Sequence, residues 1–229
     1  MKLLAIGAHP DDIEIFMFGF IAACKERGDK IFLTIATDGA LGTVSINENL
    51  KETRKKEALK GLRNLGKPIF LDLPDGSLSF SNYAPQIIHE HIKSINPDLV
   101  ITHDPNDYHP DHRSLSKYVK DAIGFSCPII YAETLMGINF LPDFYVDITK
   151  FFHHKIHAIK AHKSQQPEKF IKATKLMNRY RSAQCNAPDE NYAEAFRADI
   201  RFPFADLRIL IPPPPNISEF YRFNSQSFI

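Results

Sequence analysis

No hydrophobic run in the 229 residues is long enough to span a membrane. The apolar stretch at Met1–Gly7 is also too short for the core of a secretory signal, so neither a leader nor a membrane anchor is expected. Cysteine is scarce. Cys24, Cys127 and Cys185 lie far apart with no paired spacing, which excludes a disulfide framework and fits reduced thiols in a cytoplasmic protein. There is no surplus of one charge: 28 Lys and Arg face 27 Asp and Glu, for a net +1, without a basic block or acidic tail. That balance argues against nucleic acid or an anionic membrane as the main partner. Phosphate-binding glycine motifs are missing too. The first strand-to-helix turn lacks Gly-x-Gly-x-x-Gly, and no Gly-Lys-Ser/Thr occurs, so dinucleotide and P-loop chemistry are disfavoured. The chain has no Gly-x-Ser-x-Gly and no cysteine beside its histidine clusters, which speaks against a serine or cysteine hydrolase.

What is there has the mix of an ordinary globular chain, 44% hydrophobic and 24% charged, enough for a substantial core. Short β-branched runs alternate with amphipathic stretches, the pattern of an α/β fold with a mostly parallel sheet flanked by helices. Strands are expected at Leu3–Ile6, Ile31–Thr37, Ile69–Leu73, Leu99–Thr102, Ile129–Glu133 and Phe144–Ile148. Helices are expected at Ile13–Arg27, Glu48–Asn64, Pro85–Ile95, Asp111–Ala122, from Thr149 to about His162, and at Glu168–Tyr180. The first of these is apolar nearly all round and reads as a core helix. Neither repeat nor linker is visible, so residues 1–229 read as a single domain, with about 203–229 an irregular extension because Pro212–Pro215 cannot hold a helix or a central strand.

Sites in open α/β sheets form beyond the carboxyl ends of the strands. The residues just past the predicted strands are unusually rich in ionisable groups. Ala8-His9-Pro10-Asp11-Asp12 follows the first, Thr37-Asp38-Gly39 the second, Pro74-Asp75-Gly76 the third, and Thr102-His103-Asp104 through His109-Pro110-Asp111-His112-Arg113 the fourth. Imidazoles with one carboxylate suit zinc and leave a coordination position open. His9 and Asp12 can converge on one ion, and His109 and His112, three apart at a helix start, can offer one or both rings. Asp11 and Asp12 are neighbours and cannot point the same way. One ligand and one general base is a natural division, although spacing does not say which is which. Other histidines read as bland: His153, His154, His157 and His162 as solvated groups beside lysines, and His89 and His91 as helix surface.

The segments Ala8-His9-Pro10-Asp11-Asp12-Ile13-Glu14 and Asp104-Pro105-Asn106-Asp107-Tyr108-His109-Pro110-Asp111-His112 resemble the two defining motifs of the LmbE/PIG-L-type N-acetyl-sugar deacetylases. Asp38-Gly39, Arg54-Lys55-Lys56-Glu57, Pro74-Asp75-Gly76, His162-Lys163-Ser164-Gln165 and Tyr192–Arg197 resemble lesser landmarks in the same order. The resemblance implies a Rossmann-like fold, His9, Asp12 and His112 as ligands of Zn2+ (or another divalent ion such as Fe2+), and Asp11 as general base. It further implies that His109 polarises the carbonyl or protonates the leaving amine, with Asp111 orienting it, and that Arg54 contacts a small N-acetylated sugar. Asp38 and Tyr108 are further candidates for substrate contact, on loops expected to frame a pocket at Asp38–Asn47 and His103–Tyr108. Where many relatives carry a glycine-rich helix start, this chain has Ile15-Phe16-Met17-Phe18-Gly19, bulkier near the metal. Two other readings of the residues stand beside hydrolysis. Two histidines and a carboxylate also make the facial triad of non-haem iron oxygenases, and a sugar-binding protein could keep a vestigial metal site. A homo-oligomer is compatible with the sequence and not specified by it.

Overall fold

The computed structural model describes residues 1–42 and 49–219. Among these residues, seven strands form one sheet: β1 (Lys2–Gly7), β2 (Lys30–Thr37), β3 (Ile69–Leu73), β4 (Leu99–His103), β5 (Ile129–Ala132), β6 (Phe144–Asp147) and β7 (Ala193–Ala198). Their order is β3-β2-β1-β4-β5-β7-β6. The first five run parallel, and β7 pairs antiparallel with both β5 and β6. The central strands are near-continuous apolar runs because both faces of the sheet are covered. Leu3 and Ala5 of β1, Leu99 and Ile101 of β4, and Ile130 and Ala132 of β5 face one apolar cluster; Leu4 and Ile6, Val100, and Ile129 and Tyr131 face the other.

Among the described residues, seven helices supply the outer layers: α1 (Asp12–Phe16), α2 (Phe18–Glu26), α3 (Leu50–Gly61), α4 (Ala84–Ile95), α5 (Pro110–Ile123), α6 (Thr149–Lys160) and α7 (Glu168–Gln184). The first cluster takes Phe20 and Ile21 of α2, Ala58 of α3, Phe152 and Ile159 of α6 and Ile171 of α7. The second takes Ile88 and Ile92 of α4 and Leu115 and Val119 of α5. No helix among the described residues is long and apolar enough to cross a membrane.

The helix expected over Ile13–Arg27 is broken at Met17, which leaves helical geometry at φ −131°, ψ −7°. The cause lies 175 residues away: the Glu194 carboxylate accepts from Gly19 N at 2.9 Å and Phe20 N at 2.8 Å, an anion on the first turn of α2. Glu194 is balanced by Lys155 Nζ at 2.8 Å, which also bonds Asn178 Oδ1 at 3.0 Å. Strand β7 is a second departure, since Tyr192–Arg197 carries no expected strand. Glu48, the first residue of the third expected helix, lies outside the described residues; the described helix begins at Leu50 and passes into a 3-10 turn at Leu62–Asn64. Pro212–Pro215 hold neither helix nor strand, and this stretch is tied back by Asp147 N to Pro213 O at 3.0 Å and Ser218 N to Asn186 O at 2.7 Å.

Candidate active site

The sheet order reverses between β1 and β4, and the loops leaving their carboxyl ends meet there, as expected of a switch point. The turn after β1 is tight. Asp11 sits at φ 125°, a left-handed geometry that is strained for a residue with a Cβ. His9 N donates to Asp12 Oδ2 at 2.6 Å, folding the turn onto the start of α1. Gly7 is needed beneath it, because a Cβ there would stand 3.0 Å from the Asp12 Cβ.

Three donor atoms face one point. His9 Nδ1 lies 3.2 Å from His112 Nε2 and 3.3 Å from Asp12 Oδ2, and His112 Nε2 lies 3.3 Å from Asp12 Oδ2. Ligands about 2.0–2.1 Å from a tetrahedral ion stand roughly 3.3–3.4 Å apart, so this triangle fits a zinc-sized divalent ion with a fourth position open. All three side chains are buried. The outer nitrogens are held as metal-ligating imidazoles usually are. His112 Nδ1 is 3.0 Å from Asp107 Oδ2, and His9 Nε2 is 3.2 Å from Asp75 Oδ1 and 3.3 Å from Asp111 Oδ2.

Electrostatics follow from this crowding. Burial alone would push the His112 imidazole down, but Asp12 and Asp107 outweigh it and raise it to about 9. Burial opposes the charge on Asp12 as well, yet His112, His103 and His9 hold it well below the usual carboxylate range. Asp11 goes the other way: burial raises it to about 6 against the pull of the Arg54 guanidinium, Nη2 of which is 3.2 Å from Asp11 Oδ1. His103, stacked on His112 with ring centroids 3.7 Å apart, is pushed down to about 4, first by burial and then by His112. Its neutral Nε2 accepts from Ala8 N at 3.0 Å.

His109 caps α5. Its Nδ1 accepts from the backbone N of Asp111 at 3.2 Å, which leaves the proton on Nε2. This revises the part expected of Asp111. Its backbone, not its carboxylate, orients His109, while the carboxylate accepts from Gly76 N at 2.7 Å and Leu78 N at 3.1 Å and faces His9. Arg54 is buried and largely used by protein, with Nη1 on Gly39 O at 3.0 Å and Nη2 on Pro10 O at 2.7 Å. Asp38 stands behind the wall, where Oδ1 accepts from Ala40 N at 3.1 Å and Asp75 N at 3.2 Å. Tyr108 does line the site, half-exposed at its mouth. Of the expected framing loop Asp38–Asn47, residues 43–47 lie outside the described ones.

Asp107, Asp75 and His103 have no role in the sequence reading, although a carboxylate for the outer nitrogen of each clustered histidine could have been sought in the same motifs. His162 is not in solvent as expected. His162 follows the end of α6, so helical spacing does not apply to it, and it turns inward to bond Glu14 Oε1 at 2.7 Å. His153, His154, His157 and His89 are exposed as expected, whereas His91 is half-buried on Thr34 Oγ1 at 2.7 Å.

The site opens into a cavity of about 450 Å³ whose lining includes His9, Asp11, Asp12, Arg54, Asp75, His109 and His112. The remainder of its wall is mostly apolar.

A parallel sheet carrying this paired His/Asp constellation at its switch point defines a class, and residues 4–123 match the family profile described as PIG-L: GlcNAc-PI de-N-acetylase. The chain belongs to that family. It is 27% identical over 192 residues to the diacetylchitobiose deacetylase of Thermococcus kodakarensis, covering 73% of this chain and 71% of that one. The N,N'-diacetylchitobiose deacetylase of Pyrococcus horikoshii superposes with a TM-score of 0.73 at 26% identity, covering 90% of this chain and 88% of the other. A 4-carboxy-2-hydroxymuconate hydratase from Pseudomonas putida shares the fold, with a TM-score of 0.76 over 96% of this chain and 99% of its own at 20% identity.

Proposed function

We propose that this chain is a divalent-metal-dependent N-deacetylase that hydrolyses the acetyl amide of an N-acetylglucosamine-type sugar. The observation that carries the reading is the triangle of His9 Nδ1, Asp12 Oδ2 and His112 Nε2, with the spare carboxylate of Asp11 on the adjoining residue and the His109 ring 4.7 Å from those of His9 and His112. A shared fold does not decide the chemistry, since the same architecture serves a hydratase. The donor set and the kinship with diacetylchitobiose deacetylases support amide hydrolysis.

His9, Asp12 and His112 would hold the ion, and zinc or ferrous iron fits the donors. When bound, such an ion supplies Lewis acidity, lowering the pKa of water and polarising a carbonyl. The protein does the rest. Asp11 takes the proton of the attacking water. Its raised affinity for protons, set by burial and limited by Arg54, suits a base working near neutrality. His109 Nε2–H donates to the oxygen on which charge develops. As the water oxygen bonds the acyl carbon and the C–N bond breaks, the proton held by Asp11 passes to the departing nitrogen, giving acetate and a free amine.

Elemental analysis of purified protein against His9→Ala and His112→Ala tests the centre. One divalent ion per chain is expected in the parent and a loss of most of it in each variant, together with amine release from N-acetylglucosaminides by the loaded parent. Unchanged metal in both variants would sink the ligand assignment, and consumption of oxygen in place of amine release would move the chain to the oxygenases.

A further inference from the structure

A basic cavity lies in a cleft that shares no lining residue with the active-site cavity. Lys60 at the end of α3, Arg63 in the 3-10 turn after it, Lys160 at the end of α6 and Lys163 just beyond line a volume of about 250 Å³. His154 and His157 line it too, and no aspartate or glutamate does. Among the described residues, none of the four cationic side chains has a hydrogen bond or an ion pair. The carboxylates in the surrounding elements are used elsewhere. Glu57 accepts from Ser164 N at 2.9 Å and Ser164 Oγ at 2.6 Å, and Glu14, which packs under Gly61, is bonded to His162 Nε2 at 2.7 Å. Free carbonyls at a helix end favour a nearby cation, which accounts for part of this charge. It does not account for four on one small volume in a chain of net charge +1, because like charges gathered without counter-charges repel.

Asn64 and His154 also line a second cavity, of about 550 Å³, so the two adjoin. The second wall has a different character, with Phe18, Ala22 and Leu65 buried beneath it and Phe151 half-buried. Lys25 and Glu26 stand there as well, but Lys25 Nζ donates to Asn64 O at 2.8 Å and Leu65 O at 3.0 Å, and Glu26 is paired with Lys150. The side-chain amide of Asn64 has no partner among the described residues and offers both donors and an acceptor. An alkyl chain would cover that amide without answering it. The edge of a flat heteroaromatic ring can hydrogen-bond it while the ring face covers Phe151.

We propose that this cleft binds a nucleoside phosphate, with the phosphate among Lys60, Arg63, Lys160 and Lys163 and the base between Asn64 and Phe151. Side-chain cations would hold the phosphate here, so the lack of a glycine-rich turn after the first strand has no bearing on it. The proposal is independent of the deacetylase reading.

Calorimetry on the zinc-loaded full chain compares AMP, octyl phosphate and inorganic phosphate, each with a single phosphate group. AMP should bind about tenfold or more tighter than inorganic phosphate, the scale of one stacked base. Lys60→Ala and Lys160→Ala, at exposed positions, should each weaken AMP about threefold or more, the scale of one exposed charge contact. Added salt should weaken it further. Lys93→Ala, on α4 over the other face of the sheet, removes the same charge and should leave AMP binding unchanged. Absence of AMP binding at millimolar concentration overturns the site, and equal binding of AMP and inorganic phosphate overturns the base seat. Tighter binding of octyl phosphate than of AMP overturns the nucleoside. AMP binding that His112→Ala abolishes while Lys60→Ala and Lys160→Ala leave it intact would move the ligand to the metal centre and overturn the proposal too.

Discussion

Asp11 and Asp12 are adjacent in the chain and opposite in behaviour. Asp12 stands among three imidazoles that stabilise its charge, whereas for Asp11 burial outweighs the pull of the Arg54 guanidinium and the weaker pulls of His162 and His9. The proposed division between ligand and base, which spacing left open, rests on this difference. Asp11→Asn should keep its metal and lose turnover by roughly 100- to 10,000-fold, the usual scale for a general base; loss of the ion in elemental analysis would instead make Asp11 a ligand. His109 lies in the same crowd of rings, near enough to His9 and His112 that it could reach an ion. Its Nδ1 is taken by the cap on α5, however, and its Nε2 carries a proton. His109→Ala is thus expected to lower kcat with KM and metal content close to those of the parent, as for an interaction made mainly in the transition state. A fall in metal parallel to the fall in rate would refute that role. These residues were legible because their types and strand-end positions are unusual together. Asp107 and Asp75 were not, since an aspartate holding a histidine in place looks in sequence like any turn aspartate.

At the scale of elements, most of the sheet could be read from runs of β-branched residues, and its five parallel strands begin and end within a residue or two of expectation. Two of the misses share a cause: each depends on a partner distant in sequence. The break between α1 and α2 is made by Glu194, and no local feature of a helix apolar on all sides announces it. Lys155 lies on a helix bearing lysines and histidines that face water, yet it is buried because Glu194 and Asn178 need its charge and its donors. Strand β7 reads poorly because Ala193–Ala198 is buried at both alanine and glutamate positions and shows no period of two. The break has a test in Gly19. A Cβ there would lie 2.2 Å from Ile148 Cγ2, so Gly19→Ala must push α2 from the strand end or strain Ile148. It should cost about 1–3 kcal/mol, seen as a drop of several degrees in Tm. An unchanged Tm would mean that this packing is looser than described.

Taken as a whole, the molecule gathers carboxylates from several loops around one small volume: Asp11, Asp12, Asp75, Asp107 and Asp111 all lie within reach of His9 or His112 or beside their neighbours. An ion bound there would tie the ends of β1 and β4 together and offset repulsion that otherwise opposes closure. Any species that binds only the folded chain stabilises it, by about 4 kcal/mol at a thousandfold excess over its dissociation constant. Treating the loaded protein with a chelator should therefore lower Tm by several degrees, and added zinc should restore it. A melting curve indifferent to chelation would show that the ion contributes nothing to the fold. The strand order carries a last consequence, for the chain as it emerges during synthesis. The three proposed ligands are complete by His112, and the five parallel strands by Ala132. Strand β6, however, touches the sheet only through β7, which comes almost fifty residues later and must lie between β6 and β5. Glu194, the residue that secures α2 behind Asp12, arrives with it. The nascent chain thus carries His9, Asp12 and His112, the proposed ligands, long before it carries the strand whose Glu194 secures α2, so the setting of the proposed centre would be completed only with β7.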